Sequence, residues 1–219
     1  MTVSIVKRKA AIPAAHLKAF ANRRRDPGTK REAVLHTALR IFMERGYWQT
    51  SLNDIAEKLK ITKPALYHYF HNKEEIYLEC YRRGIALVEE DLEQIRRHPG
   101  TGLDKVGEFI QRYASQITRD FGRFLVRQDD RDLSGVAKAE VRRCKRSIDN
   151  HLRQFIQQGI DDGSIRSCNV KLAAFSVAGA VNSMVVWFSP NGDLTAEQVA
   201  AELAQIFTQG LVSGVNQQQ

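Results

Sequence analysis

Three helix start signals fall between positions 51 and 75, and they constrain the fold more than any other feature of the sequence. The signals are the segments 51–54 (SLND), 62–65 (TKPA) and 72–75 (NKEE). Two of them pair a side chain that can cap a helix with a carboxylate three residues later, and the third places proline in a first turn. Starts this close together leave room only for short helices joined by tight turns.

The remaining chain is also patterned for helices. Leu35, Ala38, Leu39 and Phe42 recur at helical spacing, behind a segment TKRE (29–32) that we interpret as a capping box. Alternation typical of β-strands is absent over any useful length, so we predict an all-α fold. The predicted helices are 29–45, 51–59, 62–69, 72–97, 102–119, 121–128, 134–161, 169–188 and 195–213.

The positive charge of the chain is concentrated at its N-terminus. The net charge is +8, and residues 1–31 hold nine lysines and arginines but a single acid, Asp26, so the remainder is neutral. A basic segment predicts a polyanionic partner, either nucleic acid or anionic lipid, although a solubilising tail has the same composition. We predict four parts: a basic, flexible arm (1–28), a helix-turn-helix domain (29–76), a helical effector-binding and dimerisation domain (77–214) and a polar tail (215–219).

The short helix at 62–69 is the candidate for binding nucleic acid. Three short helices followed by a long one match a helix-turn-helix unit, in which one helix enters the major groove of DNA. If Leu66 and Phe70 face the core, the helix presents Lys63 and small polar residues outward, and lysine can donate to guanine acceptors. Its aromatic rings can pack while their polar tips reach phosphates. The alternative is that the aromatic residues form an ordinary core patch.

Residues 29–78 resemble the DNA-binding part of the TetR family of bacterial transcriptional regulators. The resemblance lies in TSLNDIAEKLKITKPALYHYFHNKEEI, which follows the helix REAVLHTALRIFMERGY. It implies a helix-turn-helix that binds double-stranded operator DNA and most often represses transcription. Pro64 departs from the family, which often has glycine or another small residue there. The positions that correspond to DNA contacts are Thr50, Ser51, Thr62, Lys63, Pro64, Tyr67, His68, Tyr69 and Lys73.

The same resemblance implies a homodimer whose last two helices pair across a two-fold axis. Such a dimer binds a palindromic operator with its recognition helices about 34–36 Å apart. The helices at 169–188 and 195–213 suit this role, because one carries small residues and the other an apolar stripe. The residues expected at the interface are Ala178, Gly179, Val199, Leu203, Ile206 and Phe207.

The family also implies a small effector that changes DNA affinity, and the predicted helix 72–97 belongs to both domains, so it is the natural element to transmit the change. The segment 187–211 is similar to regulators of fatty-acid, acyl-CoA or steroid breakdown, which suggests an acyl-CoA-like effector. The apolar residues that could line its pocket, although each could equally be core, are Phe109, Tyr113, Ile117, Phe121, Phe124, Phe155, Met184, Trp187 and Phe188.

The stretch 172–188 is uncharged and apolar on nearly all sides. A membrane span needs about 20 such residues, and this one is shorter and contains Asn182 and two serines. We therefore predict no membrane span but a helix buried on every face within the protein.

Other functional classes have less support in the sequence. It contains no glycine-rich phosphate loop, no metal-ligand spacing and no nucleophile elbow, so we predict no enzymatic activity, no metal and no cofactor. Cys80, Cys144 and Cys168 lie far apart, as expected for free thiols in the reducing bacterial cytoplasm. The alternative that remains is a peripheral membrane protein, or a non-specific DNA-binding protein, that acts through the basic arm.

Overall fold

The computed structural model describes residues 19–20, 26–128, 130–131 and 133–211. Most of the predicted arm, the segment 212–214 and the polar tail 215–219 lie outside the described residues. The chain divides into two compact units, residues 1–80 and 81–219, which are described separately below.

The described residues form an all-helical structure, as predicted from the sequence. The helices begin and end close to the predicted positions, although the third is shorter than predicted and spans five residues. They are α1 (Pro27–Arg45), α2 (Leu52–Leu59), α3 (Lys63–Tyr67), α4 (Lys73–Arg97), α5 (Gly102–Ile117), α6 (Asp120–Arg127), α7 (Gly135–Asp161), α8 (Val170–Trp187) and α9 (Ala196–Leu211).

Helix α1 starts at a different cap from the one predicted. The carboxylate of Asp26 accepts a hydrogen bond from the backbone amide of Thr29 at 3.3 Å, and Pro27 occupies the first turn. The predicted capping box of Thr29 and Glu32 is therefore wrong. The reason is that proline is already suited to the first helical position, so the helix extends back to the aspartate that precedes it.

The starts of α2 and α3 are as predicted. Ser51 and Asp54 form a complete capping box, in which each side chain accepts from the other residue's backbone amide. Lys60 adopts a left-handed conformation with φ of 57° and ends α2. Thr62 then caps α3 by accepting from the amide of Ala65 at 3.4 Å. These local hydrogen bonds fix the tight turn between the two helices.

The core of the first unit is built on the inner faces of its helices. Leu66 and Phe70 are fully buried, as predicted, and the guanidinium of Arg31 lies 4.4 Å from the centre of the Phe70 ring. Arg31 also donates to Glu79 at 3.1 Å, which joins α1 to α4. The inner side of the α3 segment is therefore held in the core by apolar packing and by the Arg31 guanidinium over the Phe70 ring.

In the second unit, helix α5 is central and packs against α6, α7, α8 and α9. Its first residue, Gly102, meets Gly159 of α7 so closely that an added Cβ would lie 1.9 Å from the Gly159 nitrogen. This crossing therefore requires glycine on α5.

Helix α8 is not buried on every face, so that prediction is wrong for the single chain. Val177, Val181 and Met184 face the core, whereas Val186 is 76% exposed and Trp187 is also exposed. By length and composition alone, α8 passes as a membrane span, but only 28% of it is buried inside the protein. Composition could not reveal this because an apolar helix has the same sequence whether its outer face meets its own chain or a second one.

Candidate nucleic-acid interface

The outer face of α3 carries most of the residues predicted to bind DNA. Thr62, Lys63, Pro64 and His68 are exposed, and Tyr67 is 43% exposed. The ammonium of Lys63 lies 6.0 Å from the centre of the Tyr67 ring. The structure thus brings together a cation, hydroxyl donors and an imidazole on one short helix whose opposite face is fixed in the core.

Thr50 and Ser51 lie at the start of α2, but their hydroxyl groups already have partners. Thr50 is buried, and its hydroxyl donates to the carbonyl of Gly46 at 2.8 Å. The Ser51 hydroxyl donates to the Asp54 carboxylate, and this bond, together with one from the Ser51 amide at 2.7 Å, holds the pKa of the Asp54 carboxyl below its usual value. What this end of α2 offers to an anion is therefore its backbone amides and the positive end of the helix dipole.

Lys73 has a structural contact that sequence reasoning missed. Its ammonium donates to the carbonyl of Tyr47 at 2.7 Å and lies 4.1 Å from the Tyr47 ring centre and 5.6 Å from that of Trp48. Burial lowers the pKa of the Lys73 ammonium. The adjacent aromatic pair at 47 and 48 was a visible signal, since a lysine can be held over such rings.

The side chain of Tyr69, a predicted DNA contact, is not fully open to solvent. It is half-buried, and its ring meets the edge of the Phe20 ring at a centroid distance of 5.8 Å. Ala19 is only 1% exposed. Ala19 and Phe20, which belong to the predicted arm, therefore pack within the first unit. The sparse apolar residues of the N-terminus did not indicate this packing.

The chemistry available at this surface is donation of hydrogen bonds and attraction of anions. Lys63 and the hydroxyl and imidazole groups of α3 can reach base edges and phosphates in a major groove. In the part of the chain that the structure describes, no three His, Cys, Asp or Glu side chains cluster as metal ligands do. The arrangement of donors on α3 suits the binding of an anionic partner.

In the second unit, most residues predicted to line an effector pocket form the core. Phe109 and Tyr113 stack at 5.2 Å, and the Tyr113 hydroxyl donates to Asn182 at 2.9 Å. Burial raises the pKa of the Tyr113 phenol. Trp187 instead lies on the surface, and Phe121 is half-buried. The remaining predicted pocket residues are buried, namely Ile117, Phe124, Phe155, Met184 and Phe188.

Two grooves of the second unit are lined by residues other than those predicted to form the effector pocket. One, of about 680 Å³, lies between α5 and α9 and is lined by polar and small residues such as Asp104, Gly107 and Gln205. The other, of about 440 Å³, lies between α8 and α9 beside Leu172 and Phe207. Both are open to solvent at the surface of the chain.

The residues predicted at a dimer interface divide between core and surface. Gly179 and Ile206 are exposed, whereas Ala178, Leu203 and Phe207 are half-buried. Val199 is buried within its own chain, so it packs in the core of the protomer. Four large apolar side chains of α8 are exposed, as is Ile206 of α9, and so are Val136 and Leu194 elsewhere in the unit.

Two family models match the chain. Residues 34–80 match the model described as bacterial regulatory proteins, tetR family, and residues 99–211 match the model described as tetracyclin repressor-like, C-terminal domain. The second match alone covers more than half of the chain.

Individual relatives extend over most of the chain. It is 26% identical to the HTH-type transcriptional repressor KstR2 of Mycolicibacterium smegmatis, over 84% of this chain and 92% of the relative. It is 24% identical to the fatty acid metabolism regulator protein of Bacillus subtilis, over 84% and 94%. The structure of AibR in complex with isovaleryl coenzyme A and operator DNA superposes with a TM-score of 0.74, at 28% identity over 81% of this chain and 97% of AibR.

Proposed function

Because the chain belongs to the TetR family of bacterial transcriptional regulators, we propose that it is an effector-responsive repressor that binds a palindromic operator as a homodimer. The observation that carries the proposal is the outer face of α3, where Lys63, Tyr67 and His68 are exposed above a fixed core. Such a protein acts on DNA in the bacterial cytoplasm, and we assign no reaction to it.

The homodimer part of the proposal rests on the exposed apolar face of α8. A soluble chain rarely leaves large aliphatic and aromatic side chains such as Phe175, Val186 and Trp187 exposed on one helix. If a second copy of the chain placed its own α8 against this face, the exposed side chains of both copies would be covered, as at the interfaces of two-fold symmetric dimers. Two α3 helices would then meet two half-sites of one operator.

The test of this function is capture of genomic fragments by the purified full chain, followed by binding measurements on the enriched sequence. We expect a palindromic motif that is bound in the presence of excess competitor DNA. A protein that acted only through its basic N-terminal segment would instead lose binding steeply with salt and show little sequence preference. Binding to anionic vesicles, with no enriched DNA motif, would favour the peripheral membrane alternative.

We also propose that the effector is an acyl-coenzyme A thioester. AibR forms a complex with isovaleryl coenzyme A and operator DNA, and a relative of similar coverage is a fatty acid metabolism regulator. To release the operator, the thioester must bind the DNA-free geometry better than the DNA-bound one. Phe109 and Tyr113 are packed side chains of the apolar interior of the second unit, so an acyl chain enters that interior by displacing part of this packing.

Calorimetric titration of the full chain with acyl-coenzyme A thioesters of increasing chain length tests this effector. We expect saturable heat for at least one thioester, and release of the captured operator at the same concentration. Free coenzyme A and the matching free carboxylate are the controls, since each lacks half of the ligand. If no thioester gives heat or releases DNA, the effector belongs to another chemical class, and the DNA-binding function is unaffected.

A further inference from the structure

Trp48 is an exposed aromatic side chain that the predicted set of DNA contacts does not include. It is 69% exposed, although tryptophan is usually largely buried in folded proteins. It lies in the turn between α1 and α2, only three residues before Ser51, which caps α2. We propose that Trp48 binds the sugar–phosphate backbone of the operator, an inference that rests on the DNA-binding function proposed above.

The turn that carries Trp48 is held by several contacts, so the indole has a defined position. The carbonyl of Tyr47 accepts hydrogen bonds from the backbone amide of Thr50 at 3.3 Å and from the ammonium of Lys73 at 2.7 Å. The Tyr47 ring packs edge-on against Tyr77 at 5.1 Å and against Trp48 at 5.6 Å. A side chain on such a support loses little conformational freedom when it binds.

The electrostatic surroundings of Trp48 favour an anion. The Lys73 ammonium lies 5.6 Å from its ring centre, and Lys73 is the first residue of α4. The turn also leads into the N-terminus of α2, whose positive dipole end favours negative charge.

Several acidic groups around this turn are already engaged, whereas Glu44, in the last turn of α1, is exposed. Asp54 is bound in the capping box with Ser51 and lies 3.5 Å from Arg45, while Glu75 accepts from the amide of His71. Glu74, in the first turn of α4, also has an interaction partner. These contacts reduce the repulsion that free carboxylates would exert on a phosphate.

The chemistry of indole matches a phosphate and sugar better than a base edge at this position. Its Nε1–H is a donor only, phosphate oxygens are acceptors only, and the ring face can cover a deoxyribose. Contacts with the backbone carry no sequence information. Loss of Trp48 is therefore expected to weaken binding to the operator and to unrelated duplex DNA by the same factor.

The first test compares Trp48→Ala and Trp48→Phe with the wild-type chain, using the captured operator and an unrelated duplex of equal length. We expect Trp48→Ala to weaken binding to both about tenfold, as for loss of one hydrogen bond to a charged group. Trp48→Phe is expected to recover part of the loss, because it keeps a ring but not the Nε1–H. The matched control is Val136→Ala, which shortens an exposed apolar side chain of the second unit that lies outside α8.

The second test follows the fluorescence of Trp48 in the wild-type chain. Because the chain has two tryptophans, the emission of Trp48 is the part of the wild-type signal that Trp48→Phe removes. We expect operator DNA to shield it from acrylamide quenching, whereas an acyl-coenzyme A thioester alone leaves it accessible. Equal quenching with and without operator, together with wild-type affinity of Trp48→Ala, overturns the proposal. If the wild-type chain binds no operator at all, the proposed function itself is wrong.

Discussion

Lys63 and Tyr67 are the residues of α3 whose loss should affect operator binding most directly. Both are exposed, and neither supports the core, since Leu66 and Phe70 fill that role. We expect Lys63→Ala or Tyr67→Ala to weaken operator binding by a factor of about 10 to 100, corresponding to about 1–3 kcal/mol per contact. Fluorescence anisotropy with labelled operator measures the loss.

The control for Lys63→Ala is Lys145→Ala, which removes the same charge from an exposed position of the second unit. Circular dichroism and thermal unfolding of each variant should match the wild type, because the substituted side chains are on the surface. Wild-type operator affinity in both α3 variants would show that α3 is not the recognition helix.

The residues of the candidate interface that were predictable from sequence are those fixed by local pattern. Leu66 had to face inward on the five-residue helix α3, and Phe70 follows four residues later at the same helical spacing, so the outward set followed from that spacing. Phe20 and Lys73 were not predictable in the same way. Their contacts with Tyr69 and Tyr47 join positions 49 and 26 residues apart in sequence. A local pattern shows that rings are available at positions 47 and 48 but not which distant side chain meets them.

The capping boxes of α2 and α5 should make both helix starts sensitive to acid. Hydrogen bonds from Ser51 and from Thr101 lower the pKa of Asp54 and of Asp104 from their ordinary value of 3.8. A carboxyl whose pKa is lower in the folded state stabilises the fold fully above the unfolded-state value. That contribution is lost as the pH falls through the lower, folded-state value.

We therefore expect Ser51→Ala to cost about 1 kcal/mol of stability at pH 7 and less at pH 3. Chemical unfolding at the two pH values measures the difference, and Thr101→Ala provides the matched variant in the second unit. Carbon-13 shifts of the two aspartate carboxyls should titrate below pH 3.8. An equal cost of Ser51→Ala at both pH values would mean that the ionised carboxylate contributes nothing to the cap.

Helices were predicted well where residues close in sequence mark their first and last positions. The start of α2 at a serine–aspartate pair and the end of α4 before His98 needed no tertiary information. The predicted start of α1 was wrong because two overlapping signals, Asp26–Pro27 and Thr29–Glu32, compete within seven residues, and the preference of proline for the first helical position decides between them. The error is two residues, since α1 begins at Pro27.

At the scale of the whole molecule, the unpredicted features depend on packing between distant segments. The core position of Phe109 and the surface position of Trp187 follow from how α5, α6 and α8 meet, although both residues were equally plausible pocket lining in the sequence. Whether an apolar helix such as α8 is covered by its own chain or by another copy is likewise decided by tertiary structure.

The exposed face of α8 is the surface through which two copies are proposed to associate. We expect Val186→Arg to convert the proposed dimer into a monomer, because it places a charge in an apolar contact that would otherwise exclude water. Val136→Arg is the matched control, since Val136 is 83% exposed and Val186 is 76% exposed, but Val136 lies on α7. Sedimentation velocity should separate the two variants.

Operator binding links this association to function. A monomer contacts one half-site at a time, so Val186→Arg should also lose most of its affinity for the full palindrome while keeping that for a single half-site. Val136→Arg should retain both. If Val186→Arg remains dimeric and binds the palindrome normally, α8 is not the interface, and its exposed apolar face must be covered by something other than a second copy of this helix.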